Sequence, residues 1–179
     1  MKGLKGKLKE KIALLRLKKG DTEAFGFLYD QYVESIYRYI RFRVQNQDIA
    51  EDLTHEVFLK TWEYIIEGKD ISSLRSFLYR LAYRQVADHY RSRSRQTVLL
   101  DEVESAELAV KPEQEDHIDM RLLKEQIVAL KTEYQDLIVL RHIEGLSIDE
   151  IAAVMSKDAN NIRVTLHRAI KALREHYKD

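Results

Sequence analysis

The chain has 179 residues with 30 basic and 30 acidic side chains, so its formal net charge is zero. It has no cysteine, which excludes a disulfide framework, a thiolate zinc site and a cysteine nucleophile. No segment approaches the roughly 20 apolar residues of a membrane span. The chain has one proline and six glycines, too few for the many tight turns that an all-β fold requires. We therefore expect a cytoplasmic, all-α protein.

The zero net charge hides an uneven distribution along the chain. Residues 1–97 contain 19 basic and 13 acidic side chains, and residues 121–179 contain 10 and 9. Between them, residues 98–120 contain one basic and eight acidic side chains. A basic first half followed by an acidic segment is typical of a chain with distinct functional parts.

Apolar residues at helical spacing predict three helices in the first half. The first contains Phe25 to Ile40, with Asp21 and Thr22 as candidate N-caps. The second spans about Asp48–Ile66, and the third runs from Ser72 or Ser73 to about Arg91. Together these helices can bury a small core.

The pattern then changes to short apolar residues among carboxylates, with the only proline, Pro112, inside it. This composition predicts a linker. Helical spacing resumes near Ile118 and ends at Gly145, and two short helices follow at about 147–155 and 159–176. We expect two helical domains, at residues 1–95 and 118–179, joined by an acidic linker at residues 96–117.

The two last helices have the pattern of a helix-turn-helix. Ser147 and Glu150 form a capping box, and Asp158 is a natural N-cap for the second helix. One face of that helix is apolar, and the other is rich in hydrogen-bond donors that suit the DNA major groove. The candidate DNA-binding residues on this polar face are Asn160, Asn161, Arg163, Val164, His167, Arg168 and Lys171.

The third helix has an arc of cations and aromatic rings, which suits unstacked bases and the phosphates that join them. An ordinary solvated face with core tyrosines is the alternative. The residues of this arc are Tyr79, Arg80, Tyr83, Arg84 and Arg91.

On the second helix, one leucine points away from the apolar side. Leu59 is surrounded by Asp52, Glu56 and Glu63, a pattern that suggests contact with a basic, partly apolar protein partner. Single exposed leucines are common, so an incidental surface position is the alternative.

Several segments together resemble the extracytoplasmic-function sigma factors of bacterial RNA polymerase, in the sigma-70 family. The similar segments are GDTEAF (20–25), DIAEDLTHEVFLKTW (48–62), FLYRLA (77–82), DHYR (88–91) and LHRA (166–169). The resemblance covers about residues 18–176. The chain departs from the family at Ser156, in a turn where members commonly have glycine.

The resemblance implies a sigma factor that binds core polymerase, recognises the −10 and −35 promoter elements and helps to open the DNA. It implies that the clamp helices of the largest polymerase subunit and the flap of the second subunit are partners. It also implies an anti-sigma partner, which in relatives is often membrane-bound. By position, the polymerase-binding residues would be Asp52, Glu56, Phe58 and Leu59. The arc of cations and aromatic rings on the third helix would contact the −10 element. The polar face of the last helix would contact the −35 element.

Two other classes of function were considered. A stand-alone helix-turn-helix regulator would need two equivalent recognition helices about one DNA turn apart, and no dimerisation heptads are evident. An enzyme is disfavoured because the six histidines show no metal-binding spacing and no glycine-rich phosphate loop is present. We expect no catalytic residue, no metal and no cofactor.

Overall fold

The computed structural model describes residues 4–44, 46–99, 123 and 125–176. All regular elements in these residues are helical, which confirms the all-α prediction. The N-terminal half contains α1 (Leu4–Lys18), α2 (Glu23–Arg43), α3 (Gln47–Ile66) and α4 (Leu74–Leu99). In the C-terminal half, residues 125–128 are helical and are followed by α5 (Thr132–Ile138), a π-helical turn (Val139–Ile143), α6 (Ile148–Met155) and α7 (Ala159–His176).

Helix α1 was not predicted from the sequence, and the helices that were predicted agree with the structure except at some ends. The helix predicted to end at about Arg91 continues to Leu99, so it includes the first residues of the predicted linker. The rest of that linker, residues 100–117, lies outside the described residues. The continuous run predicted from Ile118 to Gly145 is interrupted at residues 129–131.

The core of the N-terminal half is formed by apolar side chains that recur at helical spacing. In α2 these are Leu28, Tyr32, Ile36 and Ile40, which pack against α1, α3 and α4. The predicted caps differ in detail: Thr22 occupies the N-cap position without a side-chain bond, and Asp21 instead pairs with Arg16 at 2.7 Å.

The helix-turn-helix has the predicted capping pattern. The Ser147 hydroxyl accepts from the Glu150 N–H at 3.2 Å, and the Glu150 carboxylate accepts from the Ser147 N–H at 2.8 Å. Asp158 caps α7 by accepting from the Asn160 N–H at 2.8 Å. Between the two helices, Ser156 has a φ of 55° and a ψ of 45°, in the left-handed region. This conformation explains why glycine suits the turn, because a Cβ there is strained.

We predict that Ser156→Gly stabilises the protein by about 1 kcal/mol, because glycine adopts the left-handed conformation without the Cβ penalty. Urea unfolding followed by circular dichroism measures the change. Ser156→Ala keeps the Cβ and is the control, which should gain nothing. A lower unfolding free energy for the glycine variant than for wild type would contradict this explanation of the turn.

Candidate nucleic-acid and protein interfaces

The outer face of α7 is as polar and open as the sequence predicts. Its buried side consists of Ile162, Leu166 and Ala169, which pack on the rest of the C-terminal half. Among the described residues, Arg163 and Arg168 have no ion-pair partner, so their guanidinium groups are available to a ligand. The exposed side contains all seven residues of the predicted set, Asn160, Asn161, Arg163, Val164, His167, Arg168 and Lys171.

The five predicted residues of α4 do not share one open surface. Arg84 and Arg91 are exposed, and the Arg80 guanidinium lies 5.8 Å from the Phe77 ring. Tyr83 is half-buried, and Tyr79 is only 1% exposed. The structure therefore separates Arg84 and Arg91, which are exposed, from the two tyrosines, which face the C-terminal half. Arg80 is half-buried and so does not belong with the exposed arginines.

Tyr79 is buried because it contacts Glu144, which follows the π-helical turn. The Glu144 side chain is 1% exposed and accepts hydrogen bonds from Arg38 Nε and Nη2, both at 2.8 Å. The Tyr79 hydroxyl donates to the same carboxylate at 2.7 Å, and Arg75 donates to the Glu144 carbonyl. The bonds with Glu144 raise the pKa of Arg38, and burial raises the pKa of Tyr79. Glu144 of the C-terminal half thus bonds to three side chains of the N-terminal half, two through its carboxylate and one through its backbone carbonyl.

The π-helical turn explains how Glu144 reaches this position. The Glu144 N–H bonds to the Val139 carbonyl at 2.9 Å, five residues back, instead of the usual four. Gly145, with a φ of 67°, then reverses the chain towards α6. The wide turn and the glycine together direct the Glu144 side chain at α2 and α4.

A second buried carboxylate, Asp136 in α5, also contacts the N-terminal half. The Tyr39 hydroxyl donates to it at 3.0 Å, and Arg43 Nε lies 2.8 Å from the same oxygen. Burial raises the pKa of Asp136 above its ordinary value, although the Arg43 charge opposes that shift. Its neighbour Gln135 accepts from Arg43 and donates to the Leu130 carbonyl at 2.7 Å.

These contacts form one set, which we call the bridging network. The partners of Arg38, Tyr39 and Arg43 in this network lie 92 to 106 positions away from them in the sequence. A cavity of about 530 Å³ lies beside it, with Tyr83, Tyr90 and Asp136 among its lining residues. The members of the bridging network are Arg38, Tyr39, Arg43, Arg75, Tyr79, Gln135, Asp136 and Glu144.

The predicted protein-binding residues of α3 lie on two sides of that helix. Leu59 is 52% exposed, as predicted, and Asp52 is also exposed. Glu56 is half-buried and lies 3.2 Å from Lys60. Phe58 is buried instead, with its ring 4.7 Å from that of Tyr29. Phe58 therefore supports α3 from the core in this structure and does not belong to the exposed surface.

Sequence reasoning missed the bridging network apart from Tyr79. One signal was present: Asp136 directly precedes the apolar run Leu137–Leu140, and a charge that is buried beside such a run needs a partner. The partner could not be found from local spacing, since Arg43 is distant in sequence.

The described residues contain no group of three or more histidine, cysteine, aspartate or glutamate side chains that could hold a metal ion. In the same part of the chain, no helix is long and apolar enough to cross a membrane.

Two family models match the chain. The model for Sigma-70 region 2 matches residues 28–96, and the model for Sigma-70, region 4 matches residues 120–173. The first match includes α3 and most of α4, and the second includes the helix-turn-helix. The two candidate DNA-binding surfaces therefore fall in separate family regions.

Curated relatives share these regions. The chain is 36% identical over 166 residues to the ECF RNA polymerase sigma factor BldN of Streptomyces coelicolor, a match that covers 88% of this chain and 62% of BldN. It is 30% identical over 157 residues to the RNA polymerase sigma-E factor of Streptomyces coelicolor, covering 82% of this chain and 83% of that protein. It is 28% identical to the ECF RNA polymerase sigma factor SigW of Bacillus subtilis, covering 94% and 97% of the two chains.

Two solved structures have the same fold. The sigma factor RpoE of Bartonella quintana, determined in complex with the anti-sigma factor NepR, matches with a TM-score of 0.76 and 22% identity, covering 88% of this chain and 98% of that chain. CnrH, determined in complex with the cytosolic domain of CnrY, matches with a TM-score of 0.73 and 19% identity, covering 95% and 97%.

We predict that Asp136→Asn opens the contact between the two halves. The variant leaves the buried Arg43 guanidinium without its counter-charge, and such a change costs about 3–5 kcal/mol. Small-angle X-ray scattering should show a larger radius of gyration, while circular dichroism should show that the helices remain.

Glu133→Gln is the matched control for this experiment. Glu133 lies three residues away on α5 and pairs with Lys157, but both side chains are more than one third exposed. Its loss should leave the radius of gyration unchanged. An unchanged radius for Asp136→Asn would contradict the role assigned to the bridging network.

Proposed function

The chain belongs to the extracytoplasmic-function sigma factors of the sigma-70 family, and we propose how its surfaces carry out promoter-specific initiation. It is a specificity subunit of RNA polymerase. We infer that residues 1–95 bind core polymerase and the −10 element, that residues 118–179 bind the −35 element, and that residues 96–117 link them. The exposed, donor-rich face of α7 is the single observation that supports DNA recognition most directly.

The −35 element would meet the outer face of α7. An α-helix fits the major groove, and its N-terminal residues reach the base edges first. Asn160 and Asn161 could pair with adenine, and Arg163 with guanine. His167, Arg168 and Lys171 lie further along α7, where contacts to phosphates hold the helix in register.

The −10 element would meet α4, with the arginines and the tyrosines in different roles. Arg84 and Arg91 are exposed and Arg80 is half-buried, and their guanidinium groups would contact phosphates. Tyr79 and Tyr83 offer rings for unstacked bases, but in the free protein the Tyr79 hydroxyl bonds to Glu144 and Tyr83 faces the C-terminal half. Recognition of the −10 element by these rings therefore requires the C-terminal half to move away from α4.

Core polymerase would contact α3 through Asp52, Glu56 and Leu59. The exposed leucine offers an apolar anchor, and the carboxylates beside it select a basic partner surface. Phe58 would act indirectly, because its ring packs in the core and fixes the orientation of α3.

We further propose that an anti-sigma factor binds the chain, as NepR binds the related sigma factor of Bartonella quintana. The site of action would be the cytoplasm, where bacterial RNA polymerase works. No catalytic step is assigned to the chain itself, since its candidate residues bind DNA and protein. A stand-alone regulator is not favoured, because the region 2 match at residues 28–96 would have no use in it.

We predict that Arg163→Ala lowers the promoter affinity of the holoenzyme by about 1–3 kcal/mol and relaxes base preference within the −35 element. Binding to a library of promoter variants measures both effects. Arg174→Ala, near the end of α7, is the control and should weaken binding evenly across sequences. Base preference that is unchanged in Arg163→Ala would contradict this placement of α7.

We predict that Leu59→Asp weakens binding to core polymerase at least about tenfold, because it replaces an exposed apolar anchor by a charge. Ile66→Asp, at another exposed apolar position of α3, is the matched control and should bind like wild type. Pull-down with sigma-free core enzyme measures the effect, with circular dichroism to confirm folding. Equal loss in both variants would show that Leu59 has no specific role.

A further inference from the structure

The first helix has two apolar sides, of which only one is covered. Ala13 and Leu17 face inward and are buried where α1 packs against α2 and α3. Leu8, Ile12 and Leu15 face outward and are 60%, 47% and 59% exposed. Their spacing of four and three residues aligns them along one face, and we call these three residues the outer stripe.

Cations border the outer stripe on both sides. At about 100° per residue, Lys11 and Lys18 fall on one side of it, and Lys9 and Arg16 fall on the other. All four are exposed. The stripe therefore lies between two rows of positive charge.

The charge of this segment is strongly positive and little compensated. Residues 1–19 contain eight basic side chains and one acidic side chain, Glu10, which accepts a hydrogen bond from the Tyr32 hydroxyl on the inner side. Arg16 and Lys18 pair with Asp21 and Asp70, respectively. Within the described part of the chain, no ion-pair partner faces Lys9, Lys11 or Lys19.

We propose that α1 docks reversibly on an anionic lipid surface. In this arrangement the outer stripe enters the boundary between headgroups and acyl chains, and Lys9 and Lys11, one on each side of the stripe, contact the headgroup phosphates. The inner face of α1 stays packed on α2 and α3, so docking needs no unfolding.

The combination of charge and shape favours lipid over other anionic partners. A nucleic acid would use the cations but would leave three aliphatic side chains in water, because leucine and isoleucine do not stack on bases. A protein would need a groove with acidic rims on both sides. The exposed apolar residues of α3 differ from the outer stripe in their charged neighbours, because Leu59 and Ile66 lie near carboxylates in the sequence instead of near cations.

Flotation of the full chain with lipid vesicles tests the proposal. Vesicles of phosphatidylcholine alone are compared with vesicles that also contain phosphatidylglycerol. We expect binding only to the anionic vesicles, weakened by salt, since the attraction combines charge with apolar insertion. The triple variant Leu8→Gln, Ile12→Gln, Leu15→Gln should bind at least about tenfold more weakly. Ile66→Gln is the matched control and should bind like wild type.

Three results would overturn the proposal. No flotation with anionic vesicles would exclude a lipid partner. Equal flotation of the triple variant and wild type would show attraction by charge alone. Loss of core polymerase binding in the triple variant, without lipid binding in wild type, would assign the outer stripe to a protein interface. The flotation measurement itself does not depend on the proposed promoter contacts, because it uses neither DNA nor polymerase. The core polymerase assay only decides whether the outer stripe binds a protein when wild type fails to bind lipid.

Discussion

Two buried carboxylates, Asp136 and Glu144, hold the two halves of this protein together. A buried charge is costly unless a cation and hydrogen-bond donors surround it. Arg43 and Tyr39 provide them for Asp136, and Arg38 and Tyr79 provide them for Glu144. Because every donor comes from α2 or α4, the carboxylates are satisfied only while the halves remain in contact.

This constraint gives the two candidate DNA-binding surfaces different access in the free protein. The outer face of α7 is open, whereas Tyr79 and Tyr83 on α4 face the C-terminal half. The polar part of this contact suits such an arrangement, since the carboxylates and guanidinium groups can be hydrated when they separate. The contact is not polar throughout, because α4 packs on α6 and buried apolar side chains of both halves belong to one core cluster. Opening therefore also exposes apolar surface, which a bound partner would have to cover.

The sequence was informative where structure follows from local spacing. Helical periodicity predicted α3 and α7 closely, and the Ser147 and Glu150 pattern predicted the capping box. The exposure of Leu59 and of the polar face of α7 also follows from helix geometry, because position on the helix decides which side faces the core.

Other features depend on contacts between distant parts of the chain, which local spacing does not encode. Tyr79 falls at the edge of the polar arc of α4, yet it is buried because its ring packs against Tyr39 of α2 and its hydroxyl bonds to Glu144. Phe58 is similar: it lies one residue before the exposed Leu59, yet its ring packs against Tyr29 of α2. The resemblance to sigma factors implied which segments would contact DNA and polymerase. It did not indicate which of their residues are covered in the free protein.

We conclude that contacts between the two halves close the free protein, and the proposed use of Tyr79 and Tyr83 at the −10 element requires it to open when it works with core polymerase. The chain has no cysteine, so Asp30→Cys in α2 and Glu175→Cys in α7 allow two fluorophores to be attached without background labelling. Single-molecule energy transfer between them should show one high-efficiency population for the free protein and a low-efficiency population when core polymerase is bound. The same efficiency in both states, or a free protein that is already open, would contradict the account.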